Sequence, residues 1–102
     1  MAISLSVVTA KGQQLACLED PDDRLSRVLP SPDDETFPLL RFVDPYGYTV
    51  FNRVQLEALE SELDRLLYRS DDRPTHDLLA SVVAMARRCR EEPHLYLRFE
   101  GD

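Results

Sequence analysis

Cysteine and histidine are the residue types in this chain that could support nucleophilic chemistry. Cys17 or Cys89, with His94 and an acidic residue, could in principle form a thiol site, because a nucleophile needs a base within hydrogen-bonding distance. Both cysteines, however, lie among apolar neighbours, where a free cysteine usually behaves as a small buried hydrophobic residue. We therefore predict that both are core residues and assign no catalytic residue, which favours a binding protein over an enzyme but leaves an enzymatic domain as an alternative.

Metal and nucleotide chemistry gain no support from the spacing of the polar residues. His76 and His94 are too far apart for an HxH, HxxxH or HExxH motif. The acidic runs 19–23 and 33–35 lack the central glycine and final glutamate of an EF-hand loop. Since the sequence also has no Walker loop and no GxGxxG motif, we predict no metal and no cofactor.

Tyrosine and arginine are enriched at binding hot spots, and these types are grouped in two parts of this chain. The candidate binding residues are Tyr46, Tyr48, His94, Tyr96 and Arg98. The alternative is that they are ordinary surface residues or cross-strand contacts, since single exposed aromatic residues are common.

The charge balance points to the kind of partner. The chain has 12 basic and 19 acidic residues, for a formal net charge of −7. This excess argues against binding to nucleic acid, which needs Lys and Arg to displace counterions, and against binding to anionic membranes. It favours a basic protein partner, although a net charge of this size can also serve solubility alone.

The N-terminal third of the chain predicts two short elements and a loop. Residues 2–9 alternate apolar and polar side chains, which is typical of a half-buried strand, and Lys11-Gly12 indicates a turn. Residues 14–18 could form a second strand or a helix. We expect residues 19–36 to be a mobile acidic loop containing a short helix, because they combine proline with a high charge content.

A hairpin is predicted in the middle of the chain. Asp44-Pro45-Tyr46-Gly47 has the residues that a type I turn prefers at its first, second and fourth positions. The β-prone runs 37–43 and 48–51 flank this turn and would be the two paired strands.

The segment after the hairpin predicts an amphipathic helix that ends near Arg69. Asn52 and Gln55 match a capping box at its start. The helix has leucines at helical spacing on one face and Glu60 away from that face. These leucines are Leu56, Leu59, Leu63, Leu66 and Leu67.

A second helix and a final strand complete the chain. We predict that residues 70–74, which end in Pro74, break the chain, that Thr75 caps a helix from His76 to about Glu92, and that Pro93 ends it. Residues 94–100 then alternate apolar and polar side chains and predict a strand with one buried face.

This order of elements predicts an α+β fold in which a mostly antiparallel sheet carries an antiparallel pair of helices on one face. The length of 102 residues fits a single domain, residues 1–102. The N-terminal residues resemble no signal peptide and no apolar run is long enough to span a membrane, so we expect a soluble cytoplasmic protein. Whether the last strand lies at the centre or the edge of the sheet stays open.

Two motifs carry a resemblance to other proteins. The pattern PYGxTxFNxxQ at residues 45–55 and HLYLxFxGD at residues 94–102 resembles a family of small uncharacterised bacterial proteins. The resemblance spans roughly the last two thirds of the chain by the spacing of its motifs. Because that family has no assigned activity, the resemblance implies only that these two segments belong to one fold.

Three hypotheses for function follow. The first is a protein-interaction domain, in its sharper form an inhibitor or immunity-type protein that masks a basic effector. The second is a small-molecule-binding or enzymatic domain with a pocket between the sheet and residues 19–36, using the polar groups of Asp44, His94, Tyr96 and Arg98. The third is a dimerising scaffold, in which residues 94–100 form an exposed edge strand that pairs with a second copy.

Overall fold

The computed structural model describes residues 2–102, which form four strands, three α-helices and a single 3-10 turn of helix. The strands are β1 (Ser4–Thr9), β2 (Gln14–Leu18), β3 (Tyr48–Phe51) and β4 (Leu95–Glu100). The helices are α1 (Arg24–Val28), α2 (Arg53–Arg69) and α3 (Arg73–Glu91), and the 3-10 helix spans Leu40–Phe42.

The strands form one antiparallel sheet in the order β2-β1-β4-β3. The helices α2 and α3 pack against each other and against one face of this sheet. The predicted α+β fold, with a helix pair on one face, is therefore confirmed. β4 lies inside the sheet, where it pairs with β1 on one side and with β3 on the other, and so the C-terminal strand is not an edge strand.

The core lies between the helix pair and the sheet. The strands bury alternate side chains there, among them Leu5, Leu97 and Phe99, as period-two alternation requires. The rings of Phe51 and Phe99 meet edge to face, with 5.7 Å between their centroids. The helices contribute a further apolar set, including Leu56, Leu59, Leu63, Leu79, Val82 and Ala86.

The helix α2 begins as predicted. The Asn52 side chain accepts a hydrogen bond from the backbone N–H of Gln55 at 3.1 Å, and Gln55 Oε1 accepts one from the backbone N–H of Asn52 at 2.9 Å. This reciprocal capping box satisfies two backbone donors that the first helical turn leaves without partners.

The helix α3 begins earlier than predicted, because Asp72 rather than Thr75 is its N-cap. Asp72 Oδ2 accepts hydrogen bonds from the backbone N–H and the hydroxyl of Thr75, at 3.1 and 2.8 Å, and these bonds lower the pKa of Asp72. Pro74 lies in the first turn, where a missing N–H costs no helical hydrogen bond. It therefore belongs to the start of the helix instead of breaking the chain.

Residues 37–43 were predicted as a strand, and that prediction is wrong. The segment turns into the 3-10 helix, and β3 pairs with β4 rather than with these residues. Phe37 and Leu40 are fully buried against the core. The buried carboxylate of Glu62 accepts hydrogen bonds from the backbone N–H groups of Leu39 and Leu40, at 3.1 and 2.9 Å. These contacts with α2 hold the backbone in a form that cannot join a sheet ladder.

The N-terminal hairpin and the short helix are both present. Residues 14–18 form a strand, β2, which settles the alternative between strand and helix. The helix α1 lies within residues 19–36 and is held by Leu25, which is fully buried. Asp20 Oδ2 accepts a hydrogen bond of 2.6 Å from the backbone N–H of Leu25. The mobility of residues 19–36 stays a prediction.

The helix pair buries a carboxylate that the helical pattern placed away from the core. Glu60 is 7% exposed, and its two oxygens lie 2.7 Å from Arg87 Nε and 2.9 Å from Arg90 Nη1. Both arginines come from α3, so this double ion pair joins the two helices at a site where an unpaired charge would be costly.

The first stability prediction concerns Gly101, which follows β4. Its backbone N–H donates a 2.8 Å hydrogen bond to the Gly47 carbonyl, and a Cβ at Gly101 would lie 2.2 Å from the backbone of Pro45. Gly101→Ala should lower the free energy of unfolding by about 1–3 kcal/mol, because backbone atoms cannot move aside easily. Gly47→Ala is the control, since its Cβ would meet only the movable carboxylate of Asp44 at 2.9 Å. Equal urea midpoints for the two variants would contradict this role of Gly101.

The second stability prediction concerns Glu62, which is 3% exposed. Glu62→Ala should lower the free energy of unfolding by about 1–3 kcal/mol, because two largely buried N–H groups lose their acceptor. Glu57→Ala, at an exposed position of the same helix, should change it by less than about 0.5 kcal/mol. Chemical denaturation of the two variants side by side checks the difference, and a Glu62→Ala protein as stable as the control would rule out the capping role.

Candidate functional site

The sheet face opposite the helices is uncovered, and we call it the open face. Cross-strand register places its side chains in rows, because directly paired residues point to the same side of a sheet. One row contains Ser4, Glu100 and Tyr48; the next contains Cys17, Ser6, Arg98 and Val50; the third contains Gln14, Val8 and Tyr96.

A polar network lies at the centre of the open face. Arg98 Nη2 donates a 3.2 Å hydrogen bond to Glu100 Oε2, two residues along the same strand. The hydroxyl of Ser6 lies 3.1 Å from Glu100 Oε2 and 3.1 Å from Gln14 Oε1, and its single hydrogen can serve one of them at a time. The network neutralises the charge of Arg98, whose side chain is only 17% exposed, but it leaves the buried Nε of Arg98 without a hydrogen-bond partner.

Arg98 also positions an aromatic ring. Its guanidinium carbon lies 4.8 Å from the centroid of the Tyr48 ring, within the range of a cation–π contact. Tyr48 is 66% exposed and Val50, its neighbour on the same face of β3, is 49% exposed. The arginine thus supports an apolar surface on the edge strand that is open to solvent.

A groove of about 260 Å³ runs over this surface. Val8 forms part of its floor and is nearly buried, whereas Tyr48 and Val50 are exposed at its side. Gly12, in the β1–β2 turn, also lines the groove and has a φ of +83°, a conformation that favours glycine. The lining residues are Val8, Thr9, Ala10, Gly12, Tyr48, Val50, Tyr96 and Arg98.

An acidic cavity of about 310 Å³ adjoins the open face at Glu100. Its carboxylates are Glu19, Asp20, Glu100 and Asp102. Asp20 is committed to the N–H of Leu25, and Asp102 Oδ1 accepts a 2.9 Å hydrogen bond from the backbone N–H of Ala2. The exposed carboxylate of Glu19 adds a negative charge to the same end of the face.

The structure brings together three of the five candidate binding residues. Tyr48, Tyr96 and Arg98 line one groove. Tyr46 is 68% exposed in the turn before β3, where its backbone N–H donates to Asp44 Oδ1, and it lies outside the groove lining. His94 is exposed, has a φ of 63°, precedes β4 and also lies outside that lining.

Sequence reasoning missed the partners that complete this face. Glu100 shares the alternation of Tyr96 and Arg98, so its position on the face could be read from the sequence. Ser6 and Val8 could not be assigned to it, since their proximity depends on β1 pairing with β4 across most of the chain length.

The expected pocket beside residues 19–36 is not formed by the residues predicted for it. Tyr96 and Arg98 line the groove on the open face instead, and neither Asp44 nor His94 is part of its lining. A cavity of about 220 Å³ does border the 26–32 segment. It is lined by Ile3, Ser26, Leu29, Pro30, Pro32, Arg41, Val43 and Pro45, none of which was among the predicted pocket residues.

The two cysteines differ in their surroundings, and the prediction that both are core residues is wrong for Cys17. Cys17 is exposed on the edge strand β2, whereas Cys89 is fully buried in α3. Burial raises the pKa of the Cys89 thiol to about 11, which suppresses its reactive thiolate form. Within residues 2–102, no group of three or more His, Cys, Asp or Glu side chains is arranged to hold a metal ion.

This difference gives a test of the two thiols. At about pH 8, native protein should react with an aromatic disulfide reagent at Cys17 only, because Cys89 is buried and largely protonated. Denaturant should expose the second thiol. Cys17→Ser is the control and should abolish the native reaction; rapid titration of two thiols per native chain would contradict the burial of Cys89.

No protein-family model, curated protein or solved structure matches the chain. The segments at residues 45–55 and 94–102, which carry the resemblance noted above, are joined by the pairing of β3 with β4, as expected for parts of one fold. None of the helices among residues 2–102 is long and apolar enough to cross a membrane.

Proposed function

We propose that this protein is a protein-interaction domain that binds a basic partner through its open face. The observation that carries the proposal is an uncovered sheet face with an apolar, tyrosine-lined groove, bordered at one end by a cavity of carboxylates. Exposed apolar surface with a polar rim is typical of interaction sites.

The aromatic residues of the groove suit a protein partner. Tyr48 and Tyr96 present large apolar rings with polar tips, and tyrosine is enriched where alanine substitution costs most binding energy. The β-sheet fixes the backbone of both residues and Arg98 contacts the Tyr48 ring, which reduces the conformational freedom to be lost on binding. Val50 and Val8 add apolar area between and below them.

Electrostatics favours a basic partner over a neutral or acidic one. The net charge is −7, and the cation at the centre of the open face, Arg98, is already paired with Glu100. The carboxylates of Glu19 and Asp102 lie beside that pair in the acidic cavity. A positively charged surface would therefore meet a complementary potential, which accelerates association and selects against acidic competitors.

The sharper form of the proposal is an inhibitor or immunity-type protein of the cytoplasm. A small acidic domain that covers a basic surface prevents that surface from binding phosphate groups, which is how a nuclease holds its substrate. Net charge and the shape of the open face support this form.

The groove favours a protein partner over a small molecule. Its volume of about 260 Å³ lies below the roughly 300–1,000 Å³ of most ligand pockets, and it is an open groove rather than an enclosed cavity. A stable protein interface needs about 800 Å² on each side, so a protein partner would have to extend beyond the groove over the rest of the sheet face and its acidic border.

Two tyrosines provide a matched test of the proposal. Tyr48 is 66% exposed on the open face, and Tyr68 is 93% exposed at the end of α2. Tyr48→Ala should weaken binding to a basic partner by about tenfold or more, because it removes the exposed aromatic ring at the side of the groove, whereas Tyr68→Ala should leave affinity unchanged. Neither ring belongs to the core, so both variants should keep the native fold.

These affinities can be measured by titration calorimetry. The wild-type protein and its two tyrosine variants are each titrated with purified proteins encoded by neighbouring genes, at low salt and at about 0.5 M salt. We expect the basic proteins among them to bind, and to bind more weakly at high salt. An acidic partner, salt-independent binding, or equal losses in the two tyrosine variants would refute the proposal.

A further inference from the structure

The outer edge of β3 is an unpaired strand edge. β3 occupies the end of the sheet order β2-β1-β4-β3, so only its inner edge has a partner strand within residues 2–102. We propose that an extended segment of the basic partner adds to β3 as a fifth strand, continuing the open face beyond Tyr48 and Val50. This inference rests on the proposed function and specifies how the partner docks.

The pairing with β4 identifies the backbone groups that face outward. The Gly101 N–H donates to the Gly47 carbonyl, so residues 47 and 101 are a hydrogen-bonded pair. Because such pairs alternate along an antiparallel ladder, Thr49 and Phe51 also bond to β4. The N–H and C=O groups of Tyr48 and Val50 therefore point away from the sheet, which leaves two donors and two acceptors for an incoming strand.

Apart from its short length of four residues, the edge of β3 has none of the features that protect a strand edge. Its sequence, Tyr48-Thr49-Val50-Phe51, consists of residues with high β-propensity and contains no lysine, proline or bulge. The opposite edge strand, β2, pairs with β1 across an irregular register at Val7 and Val8. Such a bulge twists an edge away from further pairing, so β3 is the edge suited to accept a strand.

Side chains of the added strand would extend the tyrosine-lined groove. Directly paired residues have Cβ atoms about 4.5–5.5 Å apart, so alternate side chains of the incoming segment would lie beside Tyr48 and Val50. Both residues are substantially exposed and can cover an apolar side chain on that segment. Backbone bonds would supply affinity, and the alternate side chains would supply specificity.

Charge favours a basic segment over a second copy of this chain. Two copies of this chain would repel each other, because each carries a net charge of −7. The Tyr48 end of β3 lies beside two carboxylates. Glu100 is the residue of β4 that pairs with Tyr48. Asp44 is exposed and lies next to the strand, because its backbone N–H donates a 2.8 Å hydrogen bond to Thr49 Oγ1. The other end of β3, at Phe51, is followed by the exposed cation Arg53.

This asymmetry gives the segment a direction. An added antiparallel strand has its C-terminal half at the Tyr48 end of β3, so its cations should lie in that half. The probe is therefore the capped peptide TVTVKVK, and its matched control is TVTVEVE. In an NMR titration at low salt, the amide resonances of Tyr48 and Val50 should shift when the first peptide is added. They should stay unchanged when the second peptide is added.

Proline at residue 50 tests the edge without touching the ladder to β4. Val50→Pro removes an N–H that faces outward, and edge strands tolerate proline at such positions. It should weaken peptide binding by about tenfold or more relative to Val50→Ala, which keeps the N–H and is the control. If the amide NMR spectrum of Val50→Pro shows that this variant does not fold, the same comparison of peptide affinity can be made between Tyr48→Pro and Tyr48→Ala, at the first residue of the strand.

The outcomes separate this inference from the proposed function. A basic partner that binds Val50→Pro as well as Val50→Ala, while Tyr48→Ala weakens it, would overturn the strand addition and leave the open-face proposal standing. Absence of a shift in the β3 amide resonances on addition of TVTVKVK would also overturn the strand addition. Concentration-dependent dimerisation that Val50→Pro abolishes would overturn it too, because the added strand would then come from a second copy of this chain.

Discussion

The insertion of β4 between β1 and β3 is the constraint on which the rest of the structure depends. This strand pairs along its whole length with β1 and along four residues with β3, so it joins the N-terminal hairpin to the middle of the chain. Its alternation directs Leu95, Leu97 and Phe99 into the core beneath the helices. The same alternation directs Tyr96, Arg98 and Glu100 to the opposite side, and the open face is a direct consequence.

The open face combines a neutral polar centre with an apolar border. Arg98 and Glu100 form an ion pair. Covering either charge alone would be costly, because the free energy of desolvating an unpaired ion exceeds the favourable free energy of ordinary contacts. In the interaction that we propose, a partner would cover this centre without burying an isolated charge, while Tyr48 and Val50 would provide apolar contact area. The acidic cavity beside Glu100 would then favour basic partners over acidic ones.

The helices and the two-residue periodicity were predictable because their causes are local. The capping box at Asn52 and the alternation of residues 94–100 involve neighbours within a few positions, so they are legible in the sequence. The start of α3 was misplaced by three residues because Asp72 and Thr75 are both good capping residues, and Pro74 fits either a break or a first turn. Tyr96 and Arg98 share the groove for the same local reason, since they lie on one face of a strand, whereas Tyr48 joins them only through the pairing of β3 with β4.

The failures at residues 37–43 and at Cys17 were set by contacts between distant parts of the chain. Residues 37–43 have strand-like composition, but Glu62, more than twenty positions away, accepts their backbone N–H groups and holds a 3-10 helix. Cys17 looked like a core residue until the sheet order placed β2 at an edge. Residue order thus specified the two long helices, the first and last strands, the net charge and the polar side of β4, but not the fate of residues 14–18 and 37–43. Tertiary structure alone decided which strands are neighbours, which face and edge stay open, and which carboxylates are buried, because each of these depends on pairing and packing across the chain rather than along it.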